Sequence, residues 1–253
     1  MELAVSIFKQ AAEELLSRRK AGTKAPRLVE AIRPKSIDDA LAIQAEMANM
    51  ETTVGWKCLL PPAEGKIVAA PIFSLQHQTD DVELFADKGQ ALIEPEIGFV
   101  LAKDLPARSE DYSEQEVVDA IGSAHMALEL MQRRFEEGAG QDFYESLSDC
   151  MINQGIYIGP EIDKGLAVNA HKVAITITQS SQSLDLDGTH PNPRAIDGFV
   201  WLVNFMSKRG ISFSAEQVFI TGSFKGIVPL EFDQKTVIRY DGLGEYSVTF
   251  KAK

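Results

Sequence analysis

An apolar run that carries two acidic residues places the strongest constraint on how this chain folds. Residues 91–101 read Ala-Leu-Ile-Glu-Pro-Glu-Ile-Gly-Phe-Val-Leu, with the β-branched and aromatic content of a buried strand. Side chains two positions apart lie on one face of a strand. Glu94 and Glu96 therefore project the same way, with roughly 7 Å between their Cα atoms.

Two neighbouring carboxylates in a core repel each other and lose hydration, so they need a cation or must take up protons. A hard divalent ion such as Mg²⁺ or Mn²⁺ satisfies them, because carboxylate oxygen is the ligand that it prefers. The alternative is an edge strand whose polar face looks at water, since Pro95 lacks an N–H and suits an edge. The pattern alone leaves both interpretations open.

The composition indicates one large domain, or one domain with a smaller helical part. The chain has 253 residues, 45% of them hydrophobic. No run approaches the ~18 to 20 apolar residues of a membrane span. The formal net charge is -12 and Lys and Arg do not cluster, which argues against nucleic acid and anionic membranes as partners. An anionic substrate would then need a local positive centre, which a bound metal supplies.

Two further features bear on the compartment. Residues 1–20 are amphipathic and charged throughout, unlike a signal peptide. Cys58 and Cys150 alone make no disulfide framework, so we expect a cytoplasmic protein.

The chain divides into a helical first part and a strand-rich remainder. Apolar residues recur at helical intervals through residues 3–20, and Ser36, with Asp39 three positions on, opens a second helix. From residue 53 short strands prevail. Asn192 and Pro193 are predicted to start a late helix, and residues 237–250 form a closing hairpin. We expect a helical segment over 1–52 and a β-rich catalytic domain over 53–253, in an α+β fold without a βαβ rhythm.

Three other places carry chemistry. Glu129 interrupts a second apolar run, about thirty positions after the first pair, and is the natural third metal ligand. Lys57 lies in an apolar run, where it either snorkels to the surface or serves a metal site by aiming at a substrate oxygen or proton. Thr221, Gly222 and Ser223 form a small polar turn after a strand, where backbone and hydroxyls can approach a ligand.

Common catalytic motifs are absent from the sequence. It contains no Gly-x-Gly-x-x-Gly after a strand, no phosphate loop, no His-Glu-x-x-His and no Gly-x-Ser-x-Gly. The four histidines are scattered, which argues against a His-based zinc site.

Taken together, the motifs resemble the fumarylacetoacetate hydrolase superfamily, and within it the branch of 2-keto-4-pentenoate hydratases and 4-oxalocrotonate decarboxylases. The similarity rests on an ordered set of short segments that covers nearly the whole chain. They are residues 39–44, 54–57, 93–101, 127–130, 188–191, 218–223 and 242–244.

This resemblance implies a mixed β-roll with a helical N-terminal segment, and Mg²⁺ or Mn²⁺ held by Glu94, Glu96 and Glu129. It implies a 2-oxo acid or 2-hydroxydienoate substrate that chelates the ion, with Lys57 and Asp149 as catalytic residues. Family members act in the catabolism of aromatic compounds and assemble as oligomers. We therefore expect a homo-oligomer, or a complex with a sister enzyme of the pathway.

The reaction that the resemblance favours is hydration of a 2-hydroxy-2,4-dienoate. Tautomerisation makes C4 electrophilic, water adds there, and Lys57 transfers a proton. Thr221 and Ser223 are candidate substrate-binding residues, and Arg133 or Lys225 would pair with a distal carboxylate if the substrate has one. Decarboxylation of a 4-oxalocrotonate-type acid and C–C hydrolysis of an acylpyruvate share the enolate and stay open.

Several positions depart from the family pattern. The turn after Lys57 is Cys-Leu-Leu-Pro-Pro instead of a Gly-Leu-Thr-Ser-like sequence, and the usual Asp-Ser-Arg after Glu129 reads Gln-Arg-Arg. The usual Asp-Asn is Asp149-Cys150, with Asn153 as a substitute after a shift. These changes leave two non-enzymatic alternatives, a partner subunit of an active relative and a binder of 2-oxo acids.

Overall fold

The structure, a computed structural model, describes residues 2–253, with side chains described from residue 7 onward. Met1, in the predicted helical segment, lies outside the described residues. The described helices are α1 Glu2–Ala21, α2 Ile37–Met50, α3 Glu114–Ala120, α4 Phe143–Ser148, α5 Lys164–Val168 and α6 Ala195–Ser207, with short 3₁₀ turns at Glu30–Ile32 and Cys150–Ile152. The strands are β1 Gly55–Ala63, β2 Lys66–Ile72, β3 Leu75–His77, β4 Asp81–Leu84, β5 Ala91–Leu101, β6 Ile121–Met131, β7 Asn153–Ile162, β8 Lys172–Gln179, β9 Gln182–Thr189, β10 Val218–Ile220, β11 Val228–Leu230, β12 Lys235–Tyr240 and β13 Gly244–Ala252.

The strands form two mixed sheets, and the predicted α+β class with a mixed β-roll is confirmed. The main sheet has the order β2-β1-β10-β5-β6-β7-β3, with β11 also paired to β5. Most of its pairs are antiparallel, whereas β1–β10 and β3–β7 are parallel. The second sheet has the order β4-β13-β12-β8-β9 and contains the predicted closing hairpin as β12 and β13.

Strand β5 lies inside the main sheet, so the alternative of an edge strand facing water is wrong. Pro95 is tolerated because the strands on one side of β5 are interrupted there. Strand β11 pairs with β5 over residues 91–93 and β10 pairs with it over 98–100. The loop between β10 and β11 fills the gap, and its Phe224 N–H donates to the Pro95 carbonyl at 3.1 Å.

The main sheet and helix α6 enclose the core through aromatic packing. Phe199 of α6 stacks on Phe219 of β10, with ring centroids 4.0 Å apart, and lies against Phe99 of β5 at 6.3 Å. Such stacks add to the free energy of burying three large rings. The core therefore anchors β5 and β10 side by side, beside the stretch that carries Glu94 and Glu96.

The predicted N-terminal helices are confirmed as α1 and α2. The Ser36 side chain caps α2 by accepting from the Asp39 N–H, as the sequence predicts. Leu15 of α1 and Met47 of α2 share an apolar cluster with Phe135. A division between residues 52 and 53 stays a prediction. None of the described helices is long and apolar enough to cross a membrane.

The late helix begins later than predicted. Helix α6 starts at Ala195 with Arg194 as its N-cap, so Pro193 precedes the helix instead of opening it. The Asn192 side chain is unavailable as a cap because its Oδ1 accepts from the Leu60 N–H at 3.2 Å. Asp197 stabilises the helix start instead, where its carboxylate accepts from the Arg194 N–H at 2.9 Å.

Candidate metal centre

Antiparallel pairing of β5 and β6 brings the three predicted metal ligands together. Glu94 lies directly opposite Glu129 in the register, and Glu96 lies two residues further along the same face of β5. One carboxylate oxygen from each of the three residues lies within 4.8 Å of the others. Glu96 and Glu129 are buried and Glu94 is half-buried.

A backbone donor fixes the Glu96 carboxylate. The Gly222 N–H donates to Glu96 Oε2 at 2.7 Å, from the loop that fills the gap beside β5. Gly222 has a φ of +131°, and a Cβ there would lie 2.8 Å from Pro191 Cγ and 2.9 Å from Leu59 Cδ1. Only glycine allows so close a backbone approach. On the other side of the sheet, the Tyr240 hydroxyl lies 3.1 Å from the Glu96 carbonyl oxygen and holds the strand.

Two side chains fix the Glu129 carboxylate. Lys57 Nζ donates to Glu129 Oε1 at 2.6 Å and to Oε2 at 2.8 Å, and Asn153 Nδ2 donates to Oε1 at 2.9 Å. Lys57 is only 7% exposed, so the interpretation that it snorkels to the surface is wrong. The Oδ1 atom of Asn153 is buried, and none of the described residues forms a hydrogen bond with it.

Burial and mutual repulsion perturb the carboxylates. Burial, followed by the charge of Glu129, raises the pKa of Glu94 to about 7. The same two causes, with the charge of Glu94 added, raise the pKa of Glu96 well above its usual range. Burial alone would lower the pKa of Lys57, but the charges of Glu129 and Glu94 outweigh it and the pKa is raised. Three carboxylates against one ammonium leave excess negative charge, and an oxygen-only donor set of this kind fits a hard divalent cation.

The carboxylates line a cavity of about 480 Å³. Lys57, Glu94, Glu96 and Glu129 supply its charged lining, and Ser146 and Ser223 also contribute. The rest of the lining is mostly apolar and comes from Leu59, Val68, Met131, Met151, Ile152 and Pro191. We call this space the acidic cavity. Its volume is typical of small-molecule sites.

Of the four predicted substrate-binding residues, one lines the acidic cavity. Ser223 lies in its wall, whereas the buried Thr221 places its Oγ1 atom 3.5 Å from His190 Nε2. Lys225 is exposed and is not among the lining residues. Arg133 pairs with Asp87 at 3.4 Å and lines a different cavity.

Asp149, predicted as catalytic, lies outside the lining of the acidic cavity in a fully buried ion pair. Arg134 Nε donates to Asp149 Oδ1 at 2.8 Å, and Arg134 Nη2 donates to the carbonyl oxygens of Asp149 and Asn153 at 2.9 Å and 2.8 Å. Both side chains of the pair are 0% exposed. Sequence reasoning missed the role of Arg134, although it is the arginine that the family pattern has at this position.

Arg134 thereby holds a left-handed turn beside the cavity. Cys150, Met151 and Ile152 have φ angles of 55°, 51° and 62°, in the region that side chains rarely adopt. Met151 and Ile152 line the acidic cavity, and Asn153 follows directly and binds Glu129. The turn thus shapes the cavity wall and orients one carboxylate of the cluster.

Comparisons with known proteins find relatives and solved structures of related kinds. No family model matches the chain. Two curated relatives are each 22% identical to the chain over an alignment of 265 positions. They are a 2-keto-4-pentenoate hydratase of Paraburkholderia xenovorans (strain LB400) and 2-keto-4-pentenoate hydratase 3 of Pseudomonas putida. The alignment covers 96% of this chain and 94% of each relative.

Solved structures give the same result. The 4-oxalocrotonate decarboxylase from Pseudomonas putida G7, complexed with magnesium and adipate, has a TM-score of 0.75 at 17% identity, over 96% of this chain and 97% of that one. A Yersinia pestis CO92 protein assigned to the fumarylacetoacetate hydrolase family has a TM-score of 0.54 at 19% identity, over 78% of this chain and 93% of that one. The chain has the fold of these proteins. The matches fall in the superfamily and the branch that the sequence motifs predict.

Proposed function

We propose that this protein is a divalent-metal-dependent lyase that hydrates a 2-hydroxy-2,4-dienoate of the 2-keto-4-pentenoate type, in the catabolism of aromatic compounds. The observation that carries the proposal is the cluster of Glu94, Glu96 and Glu129, which lines the acidic cavity together with Lys57. The two curated relatives named as hydratases support this reaction over others.

The ion would be Mg²⁺ or Mn²⁺, held by Glu94, Glu96 and Glu129. Their oxygens converge within 4.8 Å, and their repulsion is relieved by a cation. When bound, the ion supplies a Lewis acid that stabilises negative charge on substrate oxygens. Gly222 and Asn153 keep two of the carboxylates in fixed orientations, which is the role of outer hydrogen-bond partners in metal sites.

Lys57 is the residue of this chain that we assign to proton transfer. Its Nζ atom is buried at the head of the cavity and holds a proton there, with a raised pKa. Tautomerisation of the dienol removes the proton from the 2-hydroxy oxygen and adds one to C5. Addition of water then places hydroxyl on C4 and a proton on C3.

A direct test is proton NMR of the Mg²⁺-loaded protein with freshly prepared 2-hydroxypenta-2,4-dienoate, beside a metal-free sample. We expect metal-dependent formation of 4-hydroxy-2-oxopentanoate, and loss of turnover in Glu96→Gln with the fold intact. Full activity in that variant would refute the proposed site. Turnover of a 4-oxalocrotonate-type acid or an acylpyruvate instead would point to decarboxylation or C–C hydrolysis, which need the same enolate.

One observation favours a second candidate, a non-catalytic partner subunit of such an enzyme. Asp149 is held by Arg134, and the ionisable side chains among the described cavity-lining residues are Lys57, Cys58 and the three glutamates. A general base outside the metal ligands is therefore not evident. The purified chain would then turn over none of the three substrate types, yet would co-elute with an active hydratase or decarboxylase and stabilise it.

The assembly and the compartment stay predictions. We propose a homo-oligomer in the cytoplasm, or a complex with a sister enzyme of the same pathway. Light scattering after size exclusion, with and without that enzyme, distinguishes the two assemblies.

A further inference from the structure

The acidic cavity has a polar head and an apolar body, and strand geometry separates them. On β1, Lys57 and Leu59 are two residues apart and share one face. Leu59 lies directly opposite Val68 of β2 in the register, and both line the cavity. The wall therefore changes from an ammonium to two aliphatic side chains within one step of strand alternation.

Strand β6 shows the same change from a charged to an apolar side chain. Met131 lies two residues after Glu129 on β6, so the strand again changes from a carboxylate to an apolar side chain. Met151 and Ile152 extend this wall from the left-handed turn. Backbone conformations of this kind are unfavourable and persist where the surrounding structure enforces them. Here the Arg134 contacts enforce them, and the result is an apolar surface facing the cavity.

The apolar body of the cavity offers no partner for a second negative charge. Lys57 is the only cationic residue among its described lining residues, and its ammonium is bound to both oxygens of Glu129. The two residues that the sequence suggested for a distal carboxylate lie elsewhere. Arg133 lines another cavity and Lys225 is exposed outside the lining.

We infer that this site selects 2-oxo acids that carry an uncharged apolar tail, and that it discriminates against those with a second carboxylate. The inference rests on the proposed function, which places the 2-oxo acid head at the carboxylate cluster. Leu59, Val68, Met131, Met151 and Ile152 are then the residues that determine specificity. A volume of about 480 Å³ leaves room for tails longer than that of a five-carbon acid.

The expected size of the preference follows from the burial of the tail. Each buried methylene contributes enough to raise affinity roughly fourfold. A distal carboxylate in the same place loses its hydration and gains no counter-charge from the described lining residues. Affinity should therefore rise with chain length for monocarboxylates and fall when the end of the chain is charged.

Isothermal titration calorimetry on the Mg²⁺-loaded protein tests this with stable 2-oxo acids that lack the reactive diene. The series is 2-oxobutanoate, 2-oxopentanoate, 2-oxohexanoate and 2-oxooctanoate, with 2-oxoadipate as the dicarboxylate matched to 2-oxohexanoate. We expect affinity to increase by roughly threefold or more for each early methylene, and 2-oxoadipate to bind at least tenfold more weakly than 2-oxohexanoate.

A variant that introduces a positive charge into the cavity wall tests the same preference by changing the protein. Val68→Lys places an ammonium in the apolar wall and should reverse the preference, so that 2-oxoadipate binds more tightly than 2-oxohexanoate. Val68→Ile, which keeps an aliphatic side chain and adds no charge, should keep the wild-type order. Circular dichroism checks that both variants fold, and the wild-type series stands without them.

The outcomes separate this inference from the proposed function. The inference would be overturned if affinity did not change with chain length, or if 2-oxoadipate bound tightly. In either case, metal-dependent binding of the short acids would leave the proposed function intact. Failure of every 2-oxo acid to bind would overturn both.

Discussion

At the scale of single residues, Lys57 occupies both oxygens of Glu129 and so competes with a cation for that carboxylate. Lys57→Met should raise the affinity for Mn²⁺ at pH 8 about tenfold or more, because charges 4 Å apart interact by about 4 kcal/mol at an effective dielectric of 20. The same variant should lose turnover, because it lacks the residue assigned to proton transfer. Lys57→Arg keeps the charge and serves as the control. Unchanged or weaker Mn²⁺ binding in Lys57→Met, measured by calorimetry, would contradict this role.

Asn153 orients Glu129 from the other side through its side-chain amide. Asn153→Ala should weaken metal binding by roughly 10- to 100-fold, as loss of an outer hydrogen-bond partner does in other metal sites. Asn169→Ala removes an exposed amide that donates to Gly165, outside the lining of the acidic cavity, and should leave metal binding unchanged. Equal metal affinities in the two variants would show that Asn153 does not orient the carboxylate.

At the scale of elements, the buried pair of Arg134 and Asp149 holds the left-handed turn Cys150–Ile152 in place. Arg134→Met should lower the free energy of unfolding by about 3–5 kcal/mol, because it leaves a buried carboxylate without its partner. Arg134→Met combined with Asp149→Leu should recover part of that loss. Urea denaturation measures both.

A surface pair gives the scale for comparison. Arg239 and Asp241 form an exposed ion pair, so Arg239→Met should cost less than about 1 kcal/mol. Equal losses for Arg134→Met and Arg239→Met would mean that the turn does not depend on the buried pair.

The parts of the site that lie on strands could be predicted from the sequence, because a strand repeats every two residues. Alternation alone aligns Glu94 with Glu96, and the apolar run around Glu129 indicates the third carboxylate of the cluster. Strand β6 ends at Met131, so the two-residue repeat of a strand does not indicate whether the side chain of Arg133 or that of Arg134 is buried.

The turn at 150–152 was harder to predict, for a physical reason. Segment 149–153 contains no glycine, so nothing in its composition indicates left-handed backbone. Arg134 holds both ends of the turn, and this tertiary contact cannot be read from the local sequence. The catalytic role of Asp149 came from the family resemblance, which does not indicate its buried pairing with Arg134.

At the scale of the whole molecule, the carboxylate cluster should make stability depend on pH and metal. Glu94 has a pKa of about 7 in the folded protein against an ordinary value of 4.5, and that of Glu96 is also raised. The folded state therefore binds more protons than the unfolded state over this interval. The free energy of unfolding of the metal-free protein should fall as pH rises from about 4.5 through about 7.

Thermal unfolding at pH 5 and pH 8, with EDTA and with excess Mg²⁺, measures this dependence. Mg²⁺ should stabilise the protein more at pH 8, where the carboxylates are ionised, because ligands that bind the folded state shift the unfolding equilibrium. In EDTA, the Glu94→Gln variant should lose less thermal stability between pH 5 and pH 8 than the wild type does. An equal Mg²⁺ effect at both values would argue against cation binding by the cluster.

The claim on which the account depends is that Glu94, Glu96 and Glu129 form one divalent-cation site. The measurement that tests it most directly is an electron paramagnetic resonance titration of free Mn²⁺ against the wild type, Glu96→Gln and Glu161→Gln, the last an exposed glutamate on β7 of the same sheet. We predict one tight Mn²⁺ site in the wild type and in Glu161→Gln. In Glu96→Gln the Mn²⁺ affinity should fall by more than the roughly 10- to 100-fold that is typical when an outer hydrogen-bond partner of a metal ligand is lost. Equal Mn²⁺ binding by all three proteins, or none by the wild type, would contradict the account.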